Sequence, residues 1–214
     1  MDSRYHVEIV RAALAGLFSE PDLQQIISAN LAQDRLATLV GHPEIHFDDS
    51  EFVASERYLQ AQRQQAVQAA LRGERGAMLK AFGRLLHGRQ DFYAHSNWVP
   101  LMVTERGGTA RCGPGDVPLC PDPTTDARLR SGRGVVWHYL AVRLPLVGGW
   151  IERRLIPADS HERMNLDNPR RGPLFVYAMD AAIRHTRLEW ETLAAALARA
   201  GVENENTALA KNAG

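Results

Sequence analysis

The chain has 214 residues, 45% of them hydrophobic, with 25 basic side chains against 25 acidic ones, enough for one buried core and too little for a second full domain. Zero formal charge removes the global electrostatic footprint of a nucleic-acid binder or of a protein held on anionic lipid. No apolar run approaches the roughly 18 residues of a membrane span, and the opening MDSRYHVEIV lacks the apolar core of a secretory leader, so the chain reads as soluble, cytoplasmic or secreted after loss of a leader.

Val7, Val10, Leu14, Leu17 and Phe18 recur at helical spacing behind His6 and predict a first helix. Pro21 and Asp22 restart the chain as first-turn residues of a second helix with the face Leu23, Ile26, Ile27 and Leu31, which residues 36–40 extend. GHPEIHFDDSEF is a Gly and Pro break carrying two histidines and two adjacent aspartates. A long polar helix follows from Phe52 to Leu71. Gly73 and Gly76 interrupt it, and a further helix from Ala77 carries Leu79, Phe82, Leu85 and Leu86 to His87, with Pro100 marking its end. Residues 107–134, rich in Gly, Pro, Asp and Thr, predict a long irregular insertion. The apolar runs of residues 135–156 fit a β-hairpin or a short buried helix equally well. Asn168-Pro169 leads to a last helix with the stripe Phe175, Ala178, Met179, Ala182, Ile183, Trp190 and Leu193, and residues 201–214 read as a flexible tail. The expected architecture is all-α, one multi-helix domain over residues 1–200 with 107–134 as a loop insertion.

Eight histidines are the compositional oddity. His87, Asp91 and His95 recur every four residues, so on a helix each successive side chain turns by only about 40° and rises about 6 Å. Imidazole and carboxylate on one stripe suit zinc. Leu79, Phe82 and Leu86 lie near that stripe, which turns the three polar groups toward the core, where they are costly unless paired or metal-bound. Spacing alone leaves two readings open: a metal site, or two histidines satisfied by hydrogen bonds to Asp91. His46, two residues before Asp48, is a candidate further ligand; Asp49 competes with Asp48 for a metal role or is a turn acid. His185 and Glu189 have zinc-like spacing, but a surface hydrogen-bonded pair explains them as well. His42 and His138 read as structural, Ser96 as a cap or a hydrogen-bond partner behind the ligands, Tyr93 and Trp98 as core or cleft lining, and Arg170 with Arg171 as a solvated basic turn or, less readily, a phosphate contact at the start of the last helix. Cys112 and Cys120 either close a small disulfide loop or remain thiols.

The wording LLHGRQDFYAHSNW resembles the helix motif of the heterokaryon-incompatibility C (Het-C) family, a branch of the zinc-dependent phospholipase C and single-strand nuclease superfamily. YHVEIVRAAL, HFDDSEF and SHERMNLDNP are similar to three further family segments, in the same order, so the likeness spans residues 6–169. The resemblance implies a helical phospholipase C/nuclease-like bundle holding one to three zinc ions. His87 and Asp91 would hold one ion, Asp91 would bridge toward another, and His95 with His161 would supply a further site. His6 matches a ligand near the amino terminus. Asp48 matches a metal-contacting aspartate and is the implied catalytic residue that orients or deprotonates the attacking water. The carboxylate expected four residues after the late histidine is Asn165 here, and Asp167 is the nearest acid to take its place. The implied function is zinc-dependent phosphodiester hydrolysis with metal-activated water as nucleophile. Its substrate would be a phospholipid head group or a related phosphodiester, and the 107–134 loop would make transient contact with a membrane surface. A single-strand nuclease on the same site, without a stable nucleic-acid complex, and a non-catalytic zinc-binding interaction or toxicity module are the alternatives.

Overall fold

A computed structural model describes residues 1–35, 38, 41–134, 150–151 and 155–202. Most of residues 135–156, with His138, and nearly all of the expected extension over 36–40 lie outside the described residues, as does the tail from 203. Among the described residues the fold is all-α. Two isolated bridges, Ser96 with Ser131 and Arg133 with Ser160, occur in place of any sheet.

Helix α1 (Ser3–Leu14) buries Tyr5, His6, Ile9, Val10, Ala13 and Leu14 along one side. It stops four residues before the predicted apolar face does. Gly16 turns with φ +73, yet Leu17 and Phe18 remain buried in the link, so the apolar pattern outlasts the helix. In α2 (Glu20–Leu31) the Ser19 hydroxyl accepts from the Asp22 amide, with Pro21 in the first turn, the capping arrangement that starts helices. The four-residue α3 (Pro43–His46) follows, then α4 (Phe52–Leu71), with the boundaries the polar pattern predicted.

The centre of the molecule is α5 (Arg75–His95), in which every residue from Leu85 to His95 is buried. A helix buried on all sides is a core helix, and α2, α4 and α8 (Phe175–Arg199) pack around it. Two glycines permit this. A Cβ on Gly83 would lie 2.3 Å from the Ile26 carbonyl oxygen, and one on Gly88 would lie 2.9 Å from that of Ile45; close backbone approach offsets the roughly 1 kcal/mol that an interior glycine costs. The helix ends at His95, not at Pro100. Ser96 turns to extended backbone, and Pro100 falls in the first turn of α6 (Trp98–Glu105), where a missing N–H is tolerated.

The predicted stripe of α8 is buried at Phe175, Ala178, Ala182, Trp190 and Leu193, while Met179 and Ile183 sit at its half-buried edge. Trp190 meets the rings of Phe18 and Phe82 at centroid distances of 4.6 and 5.8 Å. The 107–134 loop is irregular as expected, but it is held down: Tyr177 donates to the Cys112 carbonyl (2.6 Å), Trp98 Nε1 to that of Pro118 (2.9 Å), and the Cys120 amide to the Tyr93 hydroxyl (3.1 Å). Cys112 and Cys120 are free, buried thiols. No helix among the described residues is long and apolar enough to cross a membrane.

Candidate metal centre

The buried face of α5 presents His87, Asp91 and His95 to side chains from four other parts of the chain. His6 comes from α1, Asp34 from the 3-10 turn Ala32–Asp34 after α2, His46 from α3, and Asp48 from the loop that follows. His161 opens the short helix α7 (His161–Met164), and Asp167 lies just beyond it. Asp91 is the hub. Its Oδ2 is 3.0 Å from His87 Nε2 and 3.0 Å from His46 Nδ1, and its Oδ1 is 3.3 Å from His6 Nε2. On the other side, Asp48 Oδ1 lies 2.9 Å from His161 Nδ1 and 3.4 Å from His95 Nδ1, while Asp167 Oδ1 lies 3.1 Å from His95 Nε2. Three groups, His6/Asp34/His87, His46/His87/Asp91 and Asp48/His95/His161, each bring their ligand atoms within 4.8 Å of one another. The Met1 ammonium is buried among them, 2.7 Å from Asp91 and 3.1 Å from Asp167.

Backbone shape puts Asp48 there. Phe47, Asp49 and Ser50 all have φ near +57°, a left-handed conformation that costs a bulky residue of order 1–3 kcal/mol. The cost is met by hydrogen bonds from a second segment. The Asp49 amide donates to Gly132 O (2.9 Å), the Ser50 amide to Ser131 Oγ (2.8 Å), and the Gly134 amide to the Asp49 carboxylate (2.8 Å). That segment also binds the late histidine: the Gly132 amide donates to His95 O and the His161 amide to Arg133 O. Asp49 is thus a turn acid.

Burial opposes every charge in the cluster. It pushes the Asp91 carboxyl up, but the Met1 ammonium, His95, His87 and His6 together hold it well below the usual carboxylate range. Asp167 and Asp48 are likewise lowered against their burial, Asp167 chiefly by the Met1 ammonium and His95, Asp48 by His161 and His95. Burial wins at His87, which is pushed down to about 4 despite Asp91 and is neutral at pH 7. At His95 the carboxylates overcome burial and raise the ring to about 9, and His161 rises further through Asp48 and Asp167. Ionised carboxylates facing imidazoles are the donor set that divalent transition metals take, at the expense of bound protons.

All seven predicted ligands, His6, Asp48, His87, Asp91, His95, His161 and Asp167, lie in this one cluster. Asn165 turns away, its Nδ2 donating to His161 O (2.8 Å) and its Oδ1 accepting from the Asp167 amide, so Asp167 supplies the carboxylate. His46 joins the cluster as well. Asp34 was missed, since nothing in its spacing marks an acid at a helix end. His185 and Glu189 are not a surface pair: both are buried, His185 Nδ1 shares a hydrogen bond with the Tyr93 hydroxyl (2.6 Å), and Glu189 pairs with Arg89 (2.9 Å). His42 is exposed beside Glu44, and Ser96, one residue before the Asn97 N-cap of α6, donates its hydroxyl to Phe92 O (2.6 Å) and accepts from the Trp98 amide (3.3 Å).

Imidazoles and carboxylates converging on the core helix of an all-α fold define a candidate metal-binding helical domain. The family described as the VWA7 N-terminal domain matches residues 11–107. The von Willebrand factor A domain-containing protein 7 of Rattus norvegicus is 37% identical over 79 residues, which cover 37% of this chain and 9% of that protein. The proteins of that name in Mus musculus and Homo sapiens match with the same identity and coverage. The chain thus spans less than a tenth of the length of these curated relatives. No solved structure gives a significant match. The matched family segment contains Asp34, His46, Asp48, His87, Asp91 and His95; His6, His161 and Asp167 lie outside it.

These likenesses overturn the Het-C assignment, because the helix wording that suggested it falls within the VWA7 N-terminal match. Phospholipase C-like hydrolysis of a phosphodiester, and the nuclease and toxicity-module alternatives, rested on that assignment and fall with it. The physical reason is that a His-x3-Asp-x3-His helix specifies ligand geometry, which unrelated chemistries can share.

Proposed function

We propose that this chain is a counterpart of the VWA7 N-terminal domain and that it binds a cluster of divalent transition-metal ions, zinc being the ion its donors suit best. The carrying observation is the convergence of His6, Asp34, His46, Asp48, His87, Asp91, His95, His161 and Asp167 around one helix face, in groups spaced for ligation. Nitrogen and carboxylate oxygen in a closed, buried set suit zinc better than calcium or magnesium, which prefer all-oxygen shells. No phosphodiester substrate is attached to this reading.

Elemental analysis of protein purified without chelator, and again after stripping and reloading with Zn2+, tests it. Up to two ions per chain are expected, because the two groups that contain His87 share the single lone pair of its ring while the third group is separate. Asp91→Asn, at the hub, lowers both count and affinity while helix content stays unchanged. A wild-type chain that carries no zinc before or after reloading would sink the proposal.

A further inference from the structure

Behind His6 and His87, away from the carboxylates, lies Gln90, fully buried together with Asn30 and Thr186. Gln90 Nε2 donates to Thr186 Oγ1 (3.2 Å), which directs its Oε1 the other way. There that oxygen meets His6 Nδ1 (2.6 Å) and Asn30 Nδ2 (3.1 Å). An amide oxygen carries no proton, so His6 Nδ1 is the donor. Asn30, its amide nitrogen engaged by Gln90, presents Oδ1 to His87 Nδ1 at 3.4 Å, and that ring also donates from Nδ1.

A neutral imidazole has one N–H. In the neutral form of each ring, the form that ligates a metal, an Nδ1 proton leaves the lone pair on Nε2, and both Nε2 atoms point at carboxylates. His87 Nε2 is 3.0 Å from Asp91 and 3.5 Å from Asp34; His6 Nε2 is 3.3 Å from Asp91 and has no hydrogen-bond partner among the described residues. His46 Nδ1 also lies 3.1 Å from His87 Nε2, and the Met1 ammonium sits 2.7 Å from the Asp91 oxygen that faces His6, but His6 Nε2 itself keeps no donor, and a buried lone pair against a carboxylate oxygen is repulsive unless a cation is shared.

We infer that Gln90 is the positioning residue of the centre: held by Thr186 and acting through Asn30, it sets the Nδ1–H tautomer of His6 and His87 and so turns both Nε2 atoms to a divalent transition-metal ion. This rests on the metal-centre reading. Partners that fix a ligand ring's tautomer are worth about 10–100-fold in metal affinity.

The test uses the full chain, long-range 15N NMR of the imidazoles, and titration with Zn2+ alone. In the wild type, His6 and His87 show the Nδ1–H tautomer before Zn2+ is added. Gln90→Met removes the acceptor, mixes the His6 tautomers and weakens Zn2+ binding by about 10–100-fold. Gln90→Glu keeps an acceptor oxygen, retains the tautomer and binds Zn2+ at least as tightly as the wild type. Should Gln90→Met not fold, Thr186→Val releases the Gln90 amide without touching either ring's partner, and shifts tautomer and affinity in the same direction. Zn2+ binding or tautomers unchanged in the folded acceptor-loss or Thr186→Val variant overturns this inference alone. No Zn2+ uptake by the wild-type chain overturns the metal-centre reading and this inference with it.

Discussion

A Cβ at Gly132 would lie 2.4 Å from the Cα of His161 and 2.7 Å from its backbone nitrogen. No side-chain adjustment relieves a clash with backbone, so Gly132→Ala displaces His161 from Asp48 and His95. The expected result is loss of zinc from that group together with a destabilisation of about 1–3 kcal/mol, the usual range for overpacking. Zinc content and urea unfolding measure the two effects, and wild-type values for both would show that the segment yields more easily than its contacts imply. At this scale the spacing of His87, Asp91 and His95 made them legible. Asn30 and Gln90 left a readable trace too. Asn30 stands in the apolar register Leu23, Ile26, Ile27, and Gln90 falls on the His87–Asp91 stripe, both positions where a polar side chain needs a buried partner. Asp34 had no such mark, because a turn acid is ordinary until the fold brings it within 3.5 Å of His87.

Helix α5 carries a second buried polar set on the face turned away from the candidate metal centre. Arg89 forms a two-point pair with Glu56 of α4 (2.7 and 3.1 Å) and reaches Glu189 of α8 at 2.9 Å, where Arg63 of α4 also binds at 2.5 Å. Burial pushes the Glu189 carboxyl up, but Arg89 and Arg63 prevail and hold it below its ordinary value. A carboxyl whose folded-state pKa is depressed contributes stability that is present above its unfolded pKa of about 4.3 and is lost as pH falls through the folded value. Glu189→Gln is therefore expected to cost about 1–3 kcal/mol at pH 7, because Arg89 loses one charged partner while its two-point pair with Glu56 remains. The deficit narrows as pH drops below about 4. Urea unfolding across pH 3–7 checks both, and a deficit independent of pH would mean that lost packing, not charge, is responsible. Periodicity found α5 and α8 but put His185 and Glu189 at the surface. An i,i+4 spacing shows that two side chains share a face, not what covers that face, and here the covering comes from α4 and α5.

At the scale of the whole molecule, the candidate ligands tie α1, the end of α2, α3, α5 and the segment around α7 to one point. An ion bound there cross-links parts of the chain as far apart as His6 and His161, and a ligand that binds only the folded state stabilises it by about 2.7 kcal/mol when present at 100 times its Kd. Addition of Zn2+ to stripped protein should raise Tm, and chelator should lower it again; a melting curve indifferent to both would indicate that no ion bridges these elements. By itself the sequence determined the helical class and the frame of main helices, since apolar residues at a period of 3.6, with Ser19 and Pro21 as start signals, are local properties of the chain. It also brought His87, Asp91 and His95 together, because a four-residue repeat on a helix places side chains on one line whatever surrounds it. Only the tertiary structure decided that Asp34 and His46 complete the cluster, that Asp167 and not Asn165 faces it, and that Gln90 stands behind it. Those placements depend on the left-handed turn at residues 47–50 locking onto Ser131 and Gly132 and on α5 being covered from every side. Both are contacts between distant segments that no local pattern records.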